Sequence, residues 1–168
     1  MISNNITRML QAKNIPFTAH ELPAEKLGAL ETARLLGVPA NQVFKTIVLL
    51  PEKPAKPILA IIPGDAEVDL KKVAAAVHQK KIKLATQKEA ETLTGLQTGG
   101  ISPLALLNRG FQMVLDHSAQ GFPQIHISGG QRGLNICLPV ASLLQLTNAR
   151  LADLSHPAIS LEPSPDSV

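Results

Sequence analysis

The stretch Val43-Phe44-Lys45-Thr46-Ile47-Val48-Leu49-Leu50 has the composition of a buried β-strand but carries a lysine at its third position. Side chains alternate between the two faces of a strand, so Lys45 shares a face with Val43, Ile47 and Leu49. An ammonium group among apolar side chains needs water, a carboxylate or a ligand as its partner. The stretch therefore predicts a strand whose lysine either reaches solvent or binds a negatively polarised ligand.

The segments around this strand mix helical and extended patterns without a strict β-α order. Apolar spacing and capping residues predict five helices. The first starts at Asn4 or Asn5, the second covers 29–36 and the third follows Asp69. The fourth extends from the capping box of Thr86 and Glu89 to Gly95, and the fifth covers 140–146. Extended patterns predict strands at 17–21, 43–50, 58–62, 112–116, 124–128 and 134–138, the second and third forming a hairpin across the proline-rich segment 51–57. The predicted fold is α+β, with helices packed on a mixed sheet.

Length and composition indicate one domain. The chain has 168 residues, of which 45% are hydrophobic, enough for a single core. We predict a domain over residues 1–154 and a tail over 155–168, where prolines and weak apolar periodicity predict no further element. The N-terminus has no signal-peptide pattern, and the apolar runs are shorter than a membrane span. We expect a soluble, cytoplasmic protein.

Cysteine and histidine offer little for metal or nucleophilic chemistry. The single cysteine, Cys137, excludes an internal disulfide and fits a reducing compartment. It lies in a predicted strand as a small buried side chain, although a pairing with His126 on a neighbouring strand stays open. The five histidines are dispersed and show no spacing typical of metal ligands, so no metal site is expected.

A basic segment in the middle of the chain is a candidate phosphate-binding surface. The formal charge is +3, and six of the sixteen basic residues lie between Lys71 and Lys88. Lys80, Lys81 and Lys83 are expected to contact a nucleic-acid backbone without reading its sequence; the alternative is a solvated surface. The chain has no tryptophan and no tyrosine, which disfavours a module that stacks single-stranded bases on aromatic rings.

Three further segments accompany the lysine strand in a fixed order. They are Asp69-Leu70-Lys71-Lys72-Val73-Ala74, Thr98-Gly99-Gly100-Ile101-Ser102-Pro103 and Ser128-Gly129-Gly130. Each glycine segment alone predicts a tight turn. With Val-Phe-Lys-Thr, all four motifs resemble the YbaK/EbsC family of free-standing aminoacyl-tRNA deacylases, related to the editing domain of bacterial prolyl-tRNA synthetases. The resemblance runs from about Thr7 to Asp153.

This resemblance implies a site and a reaction. The fold would be that of the editing domain, and the reaction the hydrolysis of Cys-tRNA(Pro), with Lys45 as the critical side chain and the thiol of the substrate attacking its own ester. An ammonium and free backbone amides suit such an ester, because its carbonyl oxygen gains negative charge in the transition state. No cofactor is implied. Substrate-binding residues would be Thr46, Gly99, Gly100, Ile101, Ser102, Pro103, Ser128, Gly129, Gly130 and Asn135.

Three departures from the family pattern keep other readings open. Asn135 stands where close relatives carry an aspartate, Leu22 falls near a position often held by tyrosine, and Ala105 replaces a common glycine. The loss of the acidic group removes an ion pair to Lys45 or to the ammonium of the substrate. The alternatives are therefore a deacylase for alanine or serine on tRNA, or a silent module of this fold that binds tRNA or a synthetase. The expected partners are aminoacyl-tRNA and a prolyl-tRNA synthetase, but neither a membrane nor DNA.

Overall fold

The computed structural model describes residues 2–158 and confirms an α+β fold with a mixed sheet. The helices are α1 Asn5–Ala12, α2 Ala29–Leu36, α3 Leu70–Ala76, α4 Gln87–Thr94 and α5 Val140–Thr147. The strands are β1 Thr18–Glu21, β2 Phe44–Pro51, β3 Ile58–Pro63, β4 Ala66–Val68, β5 Ile82–Leu84, β6 Gln112–Asp116, β7 Gln124–Ser128, β8 Leu134–Pro139, β9 Arg150–Ala152 and β10 Ser155–Pro157. No helix within residues 2–158 is long and apolar enough to cross a membrane.

The larger sheet has five strands in the order β5-β2-β3-β6-β9. The predicted hairpin is confirmed, since β2 and β3 pair antiparallel from Phe44 opposite Pro63 to Leu49 opposite Ile58. Strand β5 also pairs antiparallel with β2, whereas β3 with β6 and β6 with β9 pair in parallel. Every residue of β3 is buried, as expected for a central strand covered on both faces.

The smaller sheet is antiparallel, in the order β1-β8-β7. One of its faces is apolar, with Ile125, Ile127, Ile136 and Leu138 packed against α1, α5 and the first residues of β2. Its other face carries polar side chains. A bridge between Val43 and His126 joins the two sheets where β2 begins, so the polar face adjoins the lysine strand.

Helix ends follow the predicted capping chemistry. Asn4, Asp69 and Thr86 cap α1, α3 and α4 with their side chains, and Thr86 and Glu89 form the predicted capping box. Gly37 ends α2 and Gly95 ends α4, both in the left-handed conformation that glycine favours. These local signals place the helices correctly.

The expectation that no element forms from Ser155 onward is wrong for Ser155–Pro157, which pair with β4 as strand β10. The buried carboxylate of Asp116 holds this segment, because it accepts hydrogen bonds from the amide of Leu154 at 2.9 Å and the hydroxyl of Ser155 at 3.1 Å. Burial alone would raise the pKa of Asp116, but bonds from Ser118, Leu154 and Ser155 leave that pKa below its ordinary value. The division at residue 154 stays a prediction, and 159–168 lie outside the described residues.

Candidate functional site

A cavity of about 320 Å³ opens where β2 begins. Its walls come from the first residues of β2, the loop before α2, the start of α2, the loop after α4 and the turn between β7 and β8. Six of the predicted site residues line it: Lys45, Thr46, Gly99, Ile101, Ser128 and Asn135. Segments far apart in the sequence therefore meet in one concave site.

Lys45 lies in the wall of this cavity. Its side chain is half-buried and, as predicted, shares a face of β2 with Ile47 and Leu49. These two residues pack toward α3. The Nζ atom donates to the carbonyl oxygen of Gly64 at 3.4 Å, the long end of hydrogen-bond distances. Burial lowers the pKa of Lys45, while the charges of Glu67 and Asp65 oppose that shift. This ammonium retains donor capacity for a ligand.

Thr46 also lines the cavity. The amide of Gly64 donates to the carbonyl of Val43 at 2.7 Å, and every second residue of an antiparallel strand bonds the same neighbour. The backbone N–H and C=O groups of the intervening residues point to the other edge of β2, where the amide of Ala85 donates to the carbonyl of Val48 at 3.0 Å. Strand β5 pairs with β2 only beyond Val48. The N–H and C=O of Thr46, which lines the cavity, therefore point to the edge of β2 away from β3, at a position that β5 does not reach.

The polar face of the smaller sheet forms a second wall. Ser128 and Asn135 are opposite each other on β7 and β8, and both line the cavity. The Nδ1 atom of His126 lies 2.9 Å from Oδ1 of Asn135, and both residues are buried. Burial lowers the pKa of His126, the bond to Asn135 opposes that shift, and the nearby charge of His20 adds to it.

The other predicted substrate-binding residues support the cavity from behind. Ser102 is fully buried, and its hydroxyl oxygen accepts a hydrogen bond from the amide of Leu104. Pro103 is buried beside it. A Cβ on Gly100 would lie 2.9 Å from the backbone of Gln131, so the two glycine loops pack backbone against backbone. A Cβ on Gly130 would lie 2.7 Å from Ile6 of α1.

Free backbone amides are expected in the turn at 99–103, and Gly100 contradicts this expectation; in the other glycine turn, the amides of Gly129 and Gly130 are also engaged. Gly100 donates to the carbonyl of Gln97 at 2.8 Å, Gly129 to the carbonyl of Leu134 at 2.8 Å, and Gly130 to the hydroxyl of Ser128 at 3.2 Å. These bonds close the turns themselves, as tight turns require. Thr46 lines the cavity with its amide on the edge of β2 away from β3.

Several cavity residues lie outside the set of predicted site residues. They are Leu22, Glu25, Lys26, Leu27, Gly28, Ala29, Thr32, Val43, Phe44, Ile47, Thr98, Gly133 and Leu134. Leu22 was noted as a departure, and its amide donates to the carbonyl of Gly133 at 2.9 Å. The loop before α2 contains no motif that predicts a site, because its place in the cavity wall depends on tertiary packing. Glu25 is the carboxylate among the lining residues.

Cys137 does not share the chemistry of this wall. It is buried and lies opposite His126 in the β7–β8 register. The two residues whose pairing the sequence left open are therefore neighbours on adjacent strands. Burial raises the pKa of its thiol, which disfavours the thiolate needed for attack.

The predicted phosphate-binding lysines lie elsewhere on the larger sheet. Lys80, Lys81 and Lys83 are exposed, and Lys83 pairs with Leu50 near the far end of β2. Leu50 lies five residues beyond Lys45 along β2, which corresponds to a distance of about 17 Å. Lys81 and Lys83 border a second surface cavity with the proline-rich segment.

The chain is similar in sequence to one protein family and to several individual proteins. The family model for the aminoacyl-tRNA editing domain matches residues 24–146. EbsC of Enterococcus faecalis, named as a candidate Cys-tRNA(Pro)/Cys-tRNA(Cys) deacylase, is 35% identical over 153 residues, covering 90% of this chain and 92% of that protein. Proline–tRNA ligase of Acidithiobacillus ferrooxidans is 25% identical over 152 residues, 86% of this chain but 26% of the ligase, so the chain spans about a quarter of that relative.

Solved structures give the same picture. A candidate trans-editing enzyme for prolyl-tRNA synthetase superposes with a TM-score of 0.77 and 29% identity, over 93% of this chain and 99% of that one. A hypothetical protein with 23% identity superposes with a TM-score of 0.83, over 91% of this chain and all of the other, and shares the fold. Because the editing-domain model spans more than half of its length, the chain belongs to the aminoacyl-tRNA editing domain family.

Proposed function

We propose that this protein hydrolyses the ester bond of mischarged aminoacyl-tRNA in trans, with Cys-tRNA(Pro) as the leading substrate. The observation that carries the proposal is the half-buried ammonium of Lys45 in the wall of a cavity, in a chain of the editing-domain family. The names of EbsC and of the trans-editing structure support the same reaction. A protein that acts on aminoacyl-tRNA works where translation takes place, in the cytoplasm.

The chemistry follows from the charge that develops on the substrate. When a nucleophile adds to the ester carbonyl, the carbonyl oxygen becomes negative, and fixed donors bind it more tightly than before. Lys45 supplies a cation, and the backbone N–H of Thr46 supplies a neutral donor on the neighbouring edge. With water as the nucleophile, the carbon–oxygen ester bond breaks, hydroxide is added to the carbonyl carbon and a proton passes to the ribose oxygen.

The remaining predicted residues divide into two groups. Gly99, Ile101, Ser128 and Asn135 contact the aminoacyl group or the terminal ribose, since they line the cavity. Gly100, Ser102, Pro103, Gly129 and Gly130 hold the two loops at the required separation. In this proposal the protein contributes no nucleophile of its own.

Lys80, Lys81 and Lys83 bind backbone phosphates of the same tRNA. Lys83 pairs with Leu50, about 17 Å along β2 from Lys45, and this separation places it beyond the nucleotide that carries the ester. Such contacts give affinity without sequence information. Selectivity for one tRNA is then supplied by a prolyl-tRNA synthetase acting as a partner.

A deacylation panel tests this function. Purified protein is incubated with Cys-, Ala-, Ser- and Pro-tRNA(Pro), and the remaining aminoacyl-tRNA is measured over time beside a Lys45→Ala control. We expect hydrolysis of Cys-tRNA(Pro) by the wild type and not by the variant. Faster hydrolysis of Ala-tRNA or Ser-tRNA would move the substrate to another small amino acid, and hydrolysis of none would leave the silent binding module.

A further inference from the structure

His126 and Asn135 form a buried polar pair in the sheet that walls the cavity. Their side chains are on the same face of neighbouring strands, because Asn135 is opposite Ser128 and His126 lies two residues before Ser128. His126 is 5% exposed and Asn135 is 4% exposed, yet Asn135 reaches the cavity. His126 is thus positioned to orient a residue of the site.

The contact atoms fix the direction of the hydrogen bond. Nδ1 of His126 lies 2.9 Å from Oδ1 of Asn135, and an amide oxygen accepts but does not donate. The proton therefore resides on Nδ1 of His126. With Oδ1 engaged in this bond, the NH₂ group of Asn135 is the part of the amide left to meet a ligand in the cavity.

We propose that His126 is a positioning residue that holds the Asn135 amide with its NH₂ group toward the substrate. Asn135 then recognises a hydrogen-bond acceptor, a hydroxyl or carbonyl oxygen of the aminoacyl-adenosine end, and not the substrate ammonium. This inference rests on the proposed function for the identity of the ligand. It makes the pair a determinant of substrate choice.

The surroundings of the pair agree with this assignment. The ring of His20 is 5.6 Å from that of His126 and tilted by 45°. Burial lowers the pKa of His126 against the opposing bond to Asn135, and the charge of His20 adds to the lowering. A neutral imidazole carries one proton, so the bond to Asn135 selects its tautomer. An aspartate at 135 would instead favour an imidazolium at 126 and offer the substrate an acceptor.

The tautomer can be read without any catalytic assay. In protein labelled with ¹⁵N-histidine, long-range ¹⁵N–¹H correlations at pH 7.5 distinguish a protonated Nδ1 from a protonated Nε2. We expect Nδ1–H for His126 in the wild type and loss of this preference in Asn135→Leu. The exposed His117 serves as the internal reference. An Nε2–H tautomer at His126 would overturn the inference even if the enzyme is active.

Substrate discrimination gives the second readout. His126→Asn keeps a donor near the position of Nδ1, whereas His126→Leu removes it at similar volume. We expect His126→Leu to change the ratio of kcat/KM between Cys-tRNA(Pro) and Ala-tRNA(Pro) by about fivefold or more, the worth of one oriented hydrogen bond, and His126→Asn to restore most of it. Asn135→Asp should also change the ratio, with little effect on thermal unfolding.

The outcomes separate this inference from the proposed function. A lowered Tm in His126→Leu with an unchanged substrate ratio would reduce His126 to a packing role and overturn the inference. A wild-type protein that hydrolyses none of the aminoacyl-tRNAs while His126 shows the Nδ1–H tautomer would refute the proposed function and support the geometry of the pair.

Discussion

The guanidinium Nε of Arg132 donates to the carbonyl oxygen of Thr98 at 2.8 Å and so joins the two glycine loops beside the cavity. On its other side, Thr98 donates its amide to the carboxylate of Glu91 at 2.9 Å. Thr98, which lines the cavity, is thereby held between helix α4 and the β7–β8 turn. Displacement of a wall by about 1 Å can cost a factor of about 10² in rate.

Arg132→Met tests this connection, because methionine keeps much of the apolar stem and loses the donor. We expect kcat/KM for deacylation to fall between about 10-fold and 100-fold. Arg132→Lys should recover little, since lysine carries a methylene group at the position of the donating Nε. Arg109→Met, at an exposed position, is the control. Equal activity of Arg132→Met and wild type would mean that the loops hold their separation without this bond.

Lys45→Ala should reduce deacylation by a factor of about 10² to 10³, the loss typical of one preorganised donor. Its Tm should match or exceed that of the wild type, because burial of the ammonium opposes the charged form. Lys45→Arg should rescue little, as a planar fork cannot occupy the position of a compact ammonium. Initial rates and thermal melts are compared with the exposed Lys13→Ala. Near-normal turnover would move the active site elsewhere, and unfolding would make Lys45 structural.

Thr46→Pro removes one backbone N–H that points away from β3, at a position of β2 with which β5 does not pair. If this N–H binds the developing oxyanion, activity should fall by a factor of about 10² or more. Thr46→Val keeps the N–H and the β-branched shape, so it should lose much less. Circular dichroism checks the fold of both variants. Comparable rates for the two would exclude the Thr46 amide as a donor to the substrate.

Replacing Lys80, Lys81 and Lys83 together with alanine should weaken tRNA binding and flatten its dependence on salt concentration, while preference among tRNAs stays the same. Filter binding over a salt series measures both. A triple variant of Arg8, Lys13 and Arg109 removes equal charge from other exposed positions. Matching salt slopes for the wild type and the Lys80 triple variant would identify these lysines as a solvated surface.

The lowered pKa of His126 predicts a pH dependence of stability. Its folded pKa lies below the ordinary 6.5, so the unfolded chain binds the proton more readily. The contribution of His126 is therefore fully present above pH 6.5 and is lost as the pH falls through its folded value. The Tm of His126→Asn should decline less than that of the wild type between about pH 7 and pH 5. His117→Gln should retain the wild-type slope, and a parallel decline in all three proteins would contradict the prediction.

Local patterns were sufficient to predict the five helices and the six longer strands. Side-chain caps such as Asp69 and left-handed glycines such as Gly37 act within a few residues of their own helix. Strands β4, β5, β9 and β10 have three residues each and were missed, because so short a segment shows no alternation. Their pairing depends on partners far along the chain.

The site was predicted less completely, for a related reason. The motifs identified Lys45 and the loops, but hydrogen bonding within a turn decides which amides remain for a ligand. The N–H of Gly100 is hydrogen-bonded to the carbonyl of Gln97, whereas the N–H of Thr46 points to an edge of β2 that β5 does not reach. The bond between His126 and Asn135 depends on the register of two strands, and no spacing in the sequence encodes it.

The attachment of β10 to Asp116 determines where the chain can be shortened or fused to another protein. A chain ending before Leu154 would leave the Asp116 carboxylate buried without two of its donors, which costs several times the worth of an ordinary hydrogen bond. A cut after Ala158 keeps both donors and the pairing of β10 with β4. Purification tags and reporter domains therefore belong beyond residue 158.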